Sequence, residues 1–301
     1  MYSYENYPED DTLLAGMKTL NNNDSDIESC YLPDIEYADY NGIKRTLQLL
    51  IPNKREYHNE KYPLILFIQG SAWEKQDIYK RVPTMGYISQ KGFVTAIVQY
   101  RESEIAPFPA QVQDAKAAIR FLRKNAGKYR IQTENVFIWG DSSGGHTALL
   151  AGLTGNTGKL DTPLHPAYSS HVNGIIDFYG VVDIRMEDGF PNTENHQQPD
   201  SPEGKLLGQT SILDHPELAA QTVPMEYLDG PIPPVLIMHG TKDRTVAFQH
   251  SVKLYQALTK AHKEVEFYRL RNADHGSPSF YRGSTLAIVI DFIKRHLRDN
   301  A

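Results

Sequence analysis

The stretch Val136-Phe137-Ile138-Trp139-Gly140-Asp141-Ser142-Ser143-Gly144-Gly145-His146 decides how the chain reads. It puts a G-x-S-x-G pattern directly behind a short apolar run and directly ahead of residues 147–153, whose composition suits a helix. A serine hydroxyl that attacks a carbonyl has to stand clear of the backbone, and a tight strand-to-helix turn lifts it there. Gly140 and Gly144 remove the side chains that would collide inside such a turn. The first N–H groups of the following helix then face any negative charge that develops. Ser142 is the candidate nucleophile. The five-residue pattern also occurs in ordinary glycine-rich turns, so it is the flanking strand and helix that select the functional reading.

Outward from this turn, short apolar segments alternate with amphipathic ones. Residues 64–69, 93–100, 136–139, 174–179, 235–239 and 265–270 are mostly apolar and often β-branched, the composition of strands buried on both faces of a parallel sheet. Val112, Ala115, Ile119 and Leu122 recur at helical spacing, as do Val252, Tyr255 and Leu258, and then Leu286, Val289, Ile293 and Leu297. This alternation predicts an α/β fold with a mostly parallel central sheet flanked by helices. Ahead of it, residues 35–40 and 45–51 flank Asn41-Gly42, a pair that accepts the positive φ angles of a two-residue hairpin turn.

Residues 1–30 are polar, with Glu9, Asp10 and Asp11 consecutive and Asn21, Asn22 and Asn23 following, and read as an N-terminal arm without chemistry. Residues 185–230, rich in Pro, Asp, Glu and Gln, break the rhythm between two strands. They are expected to form a small cap-like insertion over the carboxyl edge of the sheet, where open α/β sheets bind ligands. Length alone would allow two domains, but the continuous strand-helix rhythm predicts that residues 1–301 form one.

An activated serine needs a base, and an acid that orients the base, each on a loop behind a later strand. Behind residues 235–239 comes Gly240-Thr241-Lys242-Asp243, and behind residues 265–270 comes Arg271-Asn272-Ala273-Asp274-His275-Gly276. Asp243 is the candidate acid and His275 the candidate base. Asp183, behind residues 174–179, is the rival acid. His239 ends a buried strand and His146 sits on the helix after the turn, positions that suit packing better than proton transfer. Asp274 adjoins His275 in the chain, and neighbours seldom aim their side chains at each other, so it reads as a loop-shaping carboxylate. The N–H of Ser143 and the small-residue loop Gln69-Gly70-Ser71-Ala72-Trp73 are the candidate donors to an oxyanion.

Composition excludes several other classes. With 31 Lys and Arg against 37 Asp and Glu the formal charge is −6, and no basic run offers a track for phosphates, so nucleic acid is not an expected partner. No apolar run approaches the ~18 residues of a membrane span, and no membrane partner is expected. The single cysteine, Cys30, allows neither an intramolecular disulfide nor a cysteine-rich zinc site. No HExxH, acidic calcium loop or His/Cys cluster appears, so neither a metal nor a cofactor is implied. Residues 152–159 imitate a phosphate loop but place Leu153 where its first glycine belongs and Leu160 where it needs Ser or Thr. The 18 tyrosines, without a basic face, read as core and rim packing. The amino-terminal residues lack a basic start and the ~7–15-residue apolar core of a signal peptide, so a cytoplasmic location is the expectation.

With these motifs in place, the chain resembles the α/β-hydrolase superfamily, and within it the serine carboxylesterases close to the hormone-sensitive-lipase-like enzymes and to the acetyl xylan and feruloyl esterases. The resemblance runs from about residue 35 to the end. It includes Gly70 to Trp73, the run from Tyr100-Arg101 through Ala106-Pro107-Phe108-Pro109 to Asp114, and the turn Gly140 to Gly145. Ser201-Pro202-Glu203, Gly240 to Val246 and Asp274-His275-Gly276 complete it. The resemblance implies an α/β-hydrolase fold, oxyanion donors at Gly70, Ser71 and Ser143, and hydrolysis of short-chain acyl esters through an acyl-enzyme. Acetylated carbohydrates or small phenolic esters would be the substrates, with no cofactor. Two departures stand out: Gln69-Gly70-Ser71-Ala72-Trp73 replaces the usual His-Gly-Gly-Gly-Trp, and Ser143 follows the nucleophile where alanine is common. Neither removes a backbone N–H. The alternatives are a feruloyl esterase, an arylformamidase using the same triad on an N-formyl amide, and a non-catalytic receptor-like relative, which would lack a triad residue. The sequence leaves the acyl group, the alcohol and the oligomeric state open.

Overall fold

A computed structural model of the chain describes residues 2–3, 6–22, 26–54, 60–155, 157–186 and 196–298. The sheet opens with a hairpin, β1 (Glu28–Tyr40) and β2 (Ile43–Asn53), whose turn has φ of 56° at Asn41 and 93° at Gly42. Both values lie in the left-handed region that an Asn-Gly pair tolerates. The Asp39 carboxylate accepts the Gly42 N–H at 2.6 Å and closes the turn. Then follow β3 (Tyr62–Ile68), α1 (Val82–Ser89), β4 (Val94–Val98), α2 (Ala110–Lys124), α3 (Ala126–Tyr129), β5 (Ile131–Asp141) and α4 (Ser143–Leu153). The second half holds β6 (Gly174–Phe178), α5 (Pro202–Leu206), α6 (Pro216–Gln221), β7 (Val235–Gly240), α7 (Gln249–Lys260), β8 (Val265–Leu270) and α8 (Gly283–Arg295).

The strands run β1-β2-β4-β3-β5-β6-β7-β8 in one sheet. The first two neighbouring pairs are antiparallel and the rest parallel. The chain winds outward from β3 to β4 and then returns to the other side of β3 with β5. In open α/β sheets ligands bind where the strand order reverses, here at the carboxyl ends of β3 and β5.

Alternation along β3 to β7 builds two cores, whereas β8, expected to be buried on both faces, is the edge strand of the sheet and none of its residues is buried. Leu64, Leu66, Ile138, Ile175 and Ile237 pack with α2, α4 and α7 on one face. Ile65, Phe67, Trp139, Ile176 and Leu236 pack with α1 and α8 on the other. Because every second side chain faces the same side, both faces must be apolar for the strand to be buried, which is why these segments read as near-continuous hydrophobic runs.

The structure moves several of the boundaries expected from sequence. Glu28, Ser29 and Cys30 belong to β1 and not to the arm, while residues 6–22 are exposed and lie outside helix and strand. β5 begins at Ile131, ahead of its apolar run, because Ile131 already pairs with Tyr62 at the start of β3. Leu297 lies beyond the end of α8. Within the expected insertion, residues 187–195 fall outside the described residues; the rest holds α5, α6 and a 3-10 turn at Pro224–Tyr227. Ser201 caps α5, its Oγ accepting the Gly204 N–H at 3.0 Å. The insertion is tied to the loops at the carboxyl edge: Phe108 N–H donates to Leu206 O at 2.8 Å, and Lys205 reaches Glu74 at 2.7 Å. Among the described residues no helix is long and apolar enough to cross a membrane.

Candidate active site

β5 delivers Ser142 with φ 53° and ψ −126°, and α4 starts at the next residue. A non-glycine residue held this far from the allowed regions costs on the order of 1–3 kcal/mol, which the surrounding turn must sustain. The glycines explain how it does. A Cβ on Gly140 would lie 2.1 Å from Gly144 O, and one on Gly144 would lie 2.0 Å from Ile68 O, so the strand, the turn and the end of β3 can meet only without side chains. The Ser142 N–H donates to Phe178 O at 2.9 Å, which fixes the turn to β6.

The ends of β7 and β8 bring the other two groups. His275 Nε2 lies 2.9 Å from Ser142 Oγ, and His275 Nδ1 lies 2.7 Å from Asp243 Oδ2. Asp243 Oδ1 accepts the N–H groups of Thr245 and Val246 at 2.9 and 2.8 Å. Burial by itself pushes the Asp243 carboxyl up, but hydrogen bonds from His239 and His275 outweigh it and hold the group well below the usual carboxylate range. An ionised carboxylate only accepts, so Nδ1 of His275 carries a proton and Nε2 is left bare toward the serine hydroxyl.

The rivals have other partners. The Asp183 carboxylate accepts two bonds from the Arg185 guanidinium at 2.7 and 2.6 Å. Asp274 accepts the backbone N–H groups of Arg244 and His275 at 3.1 and 2.8 Å, which shapes the loop carrying the histidine. His239 is fully buried, with Nδ1 2.7 Å from Ser251 Oγ and Nε2 2.9 Å from Val246 O. His146 is buried as well, between Trp73 and Thr222.

The loop after β3 makes a tight turn, Glu74 N–H to Ser71 O at 3.0 Å, with φ 55° at both Ala72 and Trp73. Left-handed residues with a Cβ cost roughly 1–2 kcal/mol each, so this turn too is held from outside. The Ser71 N–H points at Oγ of Ser143, the residue after Ser142, 2.9 Å away. Ser143 is the first residue of α4, so its own N–H has no partner within the helix. Gly70 requires a correction. Its N–H donates to Asp141 Oδ1 at 2.6 Å, so that donor is already taken by a carboxylate. Gly70 is there for closeness: a Cβ would lie 2.4 Å from Asp141 O and 2.7 Å from Ser142 Cβ.

Asp141 is the residue that sequence reasoning missed. Besides Gly70 it accepts a hydrogen bond from the Tyr281 hydroxyl, and the Tyr179 hydroxyl lies 3.4 Å from the same oxygen. Arg81 sits 3.8 Å from that carboxylate and 3.3 Å above the Tyr281 ring. Tyr179 in turn packs edge-on against His275, with centroids 4.7 Å apart. One carboxylate thus links the loop after β3, the serine turn and the helical turn after the histidine. The only sequence signal was an acid at the variable position of G-x-S-x-G. Among the described residues no cluster of His, Cys, Asp and Glu could hold a metal ion.

A mostly parallel sheet of this order with a serine on the turn after β5 defines an α/β hydrolase. The chain belongs to the BD-FAE family, which it matches over residues 47–258. It is 25% identical to the esterase LipC of Mycobacterium tuberculosis over 229 residues, 74% of this chain and 55% of that protein. It is 28% identical to the esterase LipQ of the same organism over 222 residues, 71% of this chain and 50% of that one. The chain spans about half the length of the curated relatives it matches. Among solved structures it is similar to a truncated carbohydrate esterase from gut microbiota, with a TM-score of 0.78 and 28% identity, covering 91% of this chain and 97% of that one. It is also similar to a bifunctional GH43-CE protein of Bacteroides eggerthii, with a TM-score of 0.79 and 32% identity, covering 89% of this chain and 38% of that one.

Proposed function

We propose that the protein is a serine carboxylesterase that cleaves short-chain acyl esters of small molecules, with Ser142, His275 and Asp243 as its triad. The observation that carries the reading is the relay from Ser142 Oγ to His275 Nε2 at 2.9 Å and from His275 Nδ1 to Asp243 Oδ2 at 2.7 Å. The hydroxyl proton passes to Nε2 as Oγ bonds to the ester carbonyl carbon. The carbonyl oxygen becomes an oxyanion that takes hydrogen bonds from Ser143 N–H and, displacing the Ser143 hydroxyl, from Ser71 N–H. His275 then gives the proton to the departing alcohol, leaving an acyl-enzyme, and water repeats the cycle from the other side. Asp243 stays ionised throughout and stabilises the imidazolium.

Acetylated carbohydrate or small phenolic esters are the substrates this reading favours, in line with the esterase and carbohydrate esterase names of its relatives. The N-terminal arm and the insertion belong to the same single domain as the sheet. A rate comparison over acetyl, butyryl, octanoyl and feruloyl esters and an N-formyl aryl amide tests the proposal. Hydrolysis of acetyl esters that is lost in Ser142→Ala supports it, dominant turnover of the feruloyl ester or the formamide reassigns the substrate, and absence of any turnover removes the enzymatic reading.

A further inference from the structure

The turn that holds the Ser71 N–H is strained at two consecutive residues, Ala72 and Trp73, and something outside it has to keep it in place. Trp73 is almost completely buried, and its indole N–H donates to His146 Nδ1 at 3.2 Å, with the two rings edge to face at 5.2 Å. His146 Nε2 lies 2.7 Å from the backbone oxygen of Thr222, the buried residue that ends α6 in the insertion. A carbonyl oxygen can only accept and an indole N–H can only donate. The two partners therefore fix one tautomer: Nε2 carries the proton and Nδ1 is bare. The other tautomer would set one N–H against another at Trp73 and a bare nitrogen against an oxygen at Thr222. Burial holds the ring neutral, down to about 4, so no second proton intrudes at ordinary pH.

We infer that His146 is a positioning residue through which the insertion sets the oxyanion turn: the Thr222 carbonyl selects the Nε2–H tautomer, and the bare Nδ1 then pins the Trp73 indole and with it the left-handed turn carrying the Ser71 N–H. A second tie runs in parallel, from Lys205 of α5 to Glu74, the residue that closes that turn. His146 touches no reacting atom. It lies one helical turn past Ser142 on α4, so the same helix end that supports the nucleophile also carries the link to the insertion. The insertion thereby braces the oxyanion donor, in addition to any part it has in covering the substrate. The catalytic consequence of this brace rests on the esterase reading above, while the tautomer can be measured without it.

Two measurements test the brace. In the wild-type chain, nitrogen-15 chemical shifts of the His146 ring, assigned through its contacts with the Trp73 indole, are expected to report a protonated Nε2 and a bare Nδ1 at pH 7. An Nδ1–H tautomer overturns the inference whether or not the variants fold. In the kinetic measurement, Trp73→Phe and His146→Leu are each expected to lower kcat for a small acetyl ester by about tenfold, with KM moving by less than about twofold. Affinity for a trifluoromethyl ketone, whose adduct carries the oxyanion, should fall by the same factor. The double variant should lose about tenfold and not about a hundredfold, because both changes break one link. Unchanged kcat per labelled active site in folded single variants, or losses that multiply, overturns the inference. A wild-type chain inert toward every ester would overturn the esterase reading, and the ring nitrogens would still decide the tautomer.

Discussion

His239 Nε2 lies 3.3 Å from Asp243 Oδ2, so the candidate acid stands between two imidazoles, one facing the serine and one facing the core. The His239 proton is shared with Val246 O, and Nδ1 is met by Ser251. This arrangement ranks the substitutions. Asp243→Asn should lower kcat by about ten-thousandfold, since an amide favours the wrong His275 tautomer. His239→Gln should cost only about tenfold, because it weakens the support of the acid and leaves the relay standing. Asp183→Asn should leave activity within about twofold, its carboxylate being engaged by Arg185. Steady-state kinetics on one acetyl ester decides among them, and a His239 loss equal to that of Asp243→Asn would make the second imidazole part of the relay.

Ser142→Ala should reduce turnover by roughly a millionfold with the fold intact, the loss expected when one member of a cooperative triad goes. A fluorophosphonate probe should label the wild type alone. Labelling of the variant would move the nucleophile elsewhere.

The proposed oxyanion donors separate backbone from side chain. Ser71→Ala should keep most activity, since its hydroxyl donates to Glu74 O and only its N–H faces Ser143. Ser71→Pro removes that N–H and should cost about a hundredfold or more in kcat. Circular dichroism has to show the variant folded for the comparison to count. A large loss in Ser71→Ala would assign the hydroxyl itself to the oxyanion.

The elements that were legible in the sequence are those whose cause is local. The Asn41-Gly42 turn, the alternation that fills both faces of β3 to β7, and the glycines at 140 and 144 each follow from a few neighbouring residues. So does the order of Ser142, Asp243 and His275, because each stands at a strand end that the apolar runs mark. The short helix α1 was not legible: Val82–Ser89 contains Pro83 and Gly86, and its apolar face is only two turns long. Nor was the web around Asp141, whose partner Tyr281 is 140 residues away and stands among tyrosines that look alike in sequence. Gly70 was misread for the same reason, since only the fold reveals that Asp141 takes its N–H.

Two buried groups should tilt stability against pH in opposite directions. His146 is held neutral down to about 4 by burial, so between its ordinary value near 6.5 and about 4 the unfolded chain binds a proton that the folded chain refuses. Stability from this group is therefore full above about pH 6.5 and is lost as pH falls through that window. Asp177 is fully buried beneath α4, with Oδ1 on Gly180 N–H at 3.1 Å and Oδ2 without a partner. Burial raises its carboxyl to about 7, so from about 3.8 to about 7 the folded chain keeps a proton that the unfolded chain has released. Stability from Asp177 thus falls as pH rises through that window. Asp177→Asn should remove this slope and stabilise the protein more at pH 8 than at pH 5. Urea unfolding of the wild type and the variant at both pH values checks it; an equal shift at each pH would mean that Asp177 does not titrate on unfolding.

The acyl preference follows from where the apolar side chains of the insertion have gone. Leu206, Leu207, Ile212, Ala219 and Val223 are 0–5% exposed, and the first four of them belong to the core that packs α2, α4 and α7 on the sheet. These five side chains of the insertion face the core, although Leu213 beside them is 57% exposed, and Lys205 turns toward the loop carrying Ser71. Holding an octanoyl chain requires an apolar groove large enough to take most of its methylenes out of water, at ~0.8 kcal/mol for each one buried. Side chains already committed to the core cannot supply it without unfolding part of that core. An acetyl group asks for none of this, so kcat/KM should be highest for acetyl esters and decline through butyryl to octanoyl. Measured on a series sharing one leaving alcohol, a preference for octanoyl of about tenfold or more, about 1.4 kcal/mol in the transition state, would overturn the short-chain reading.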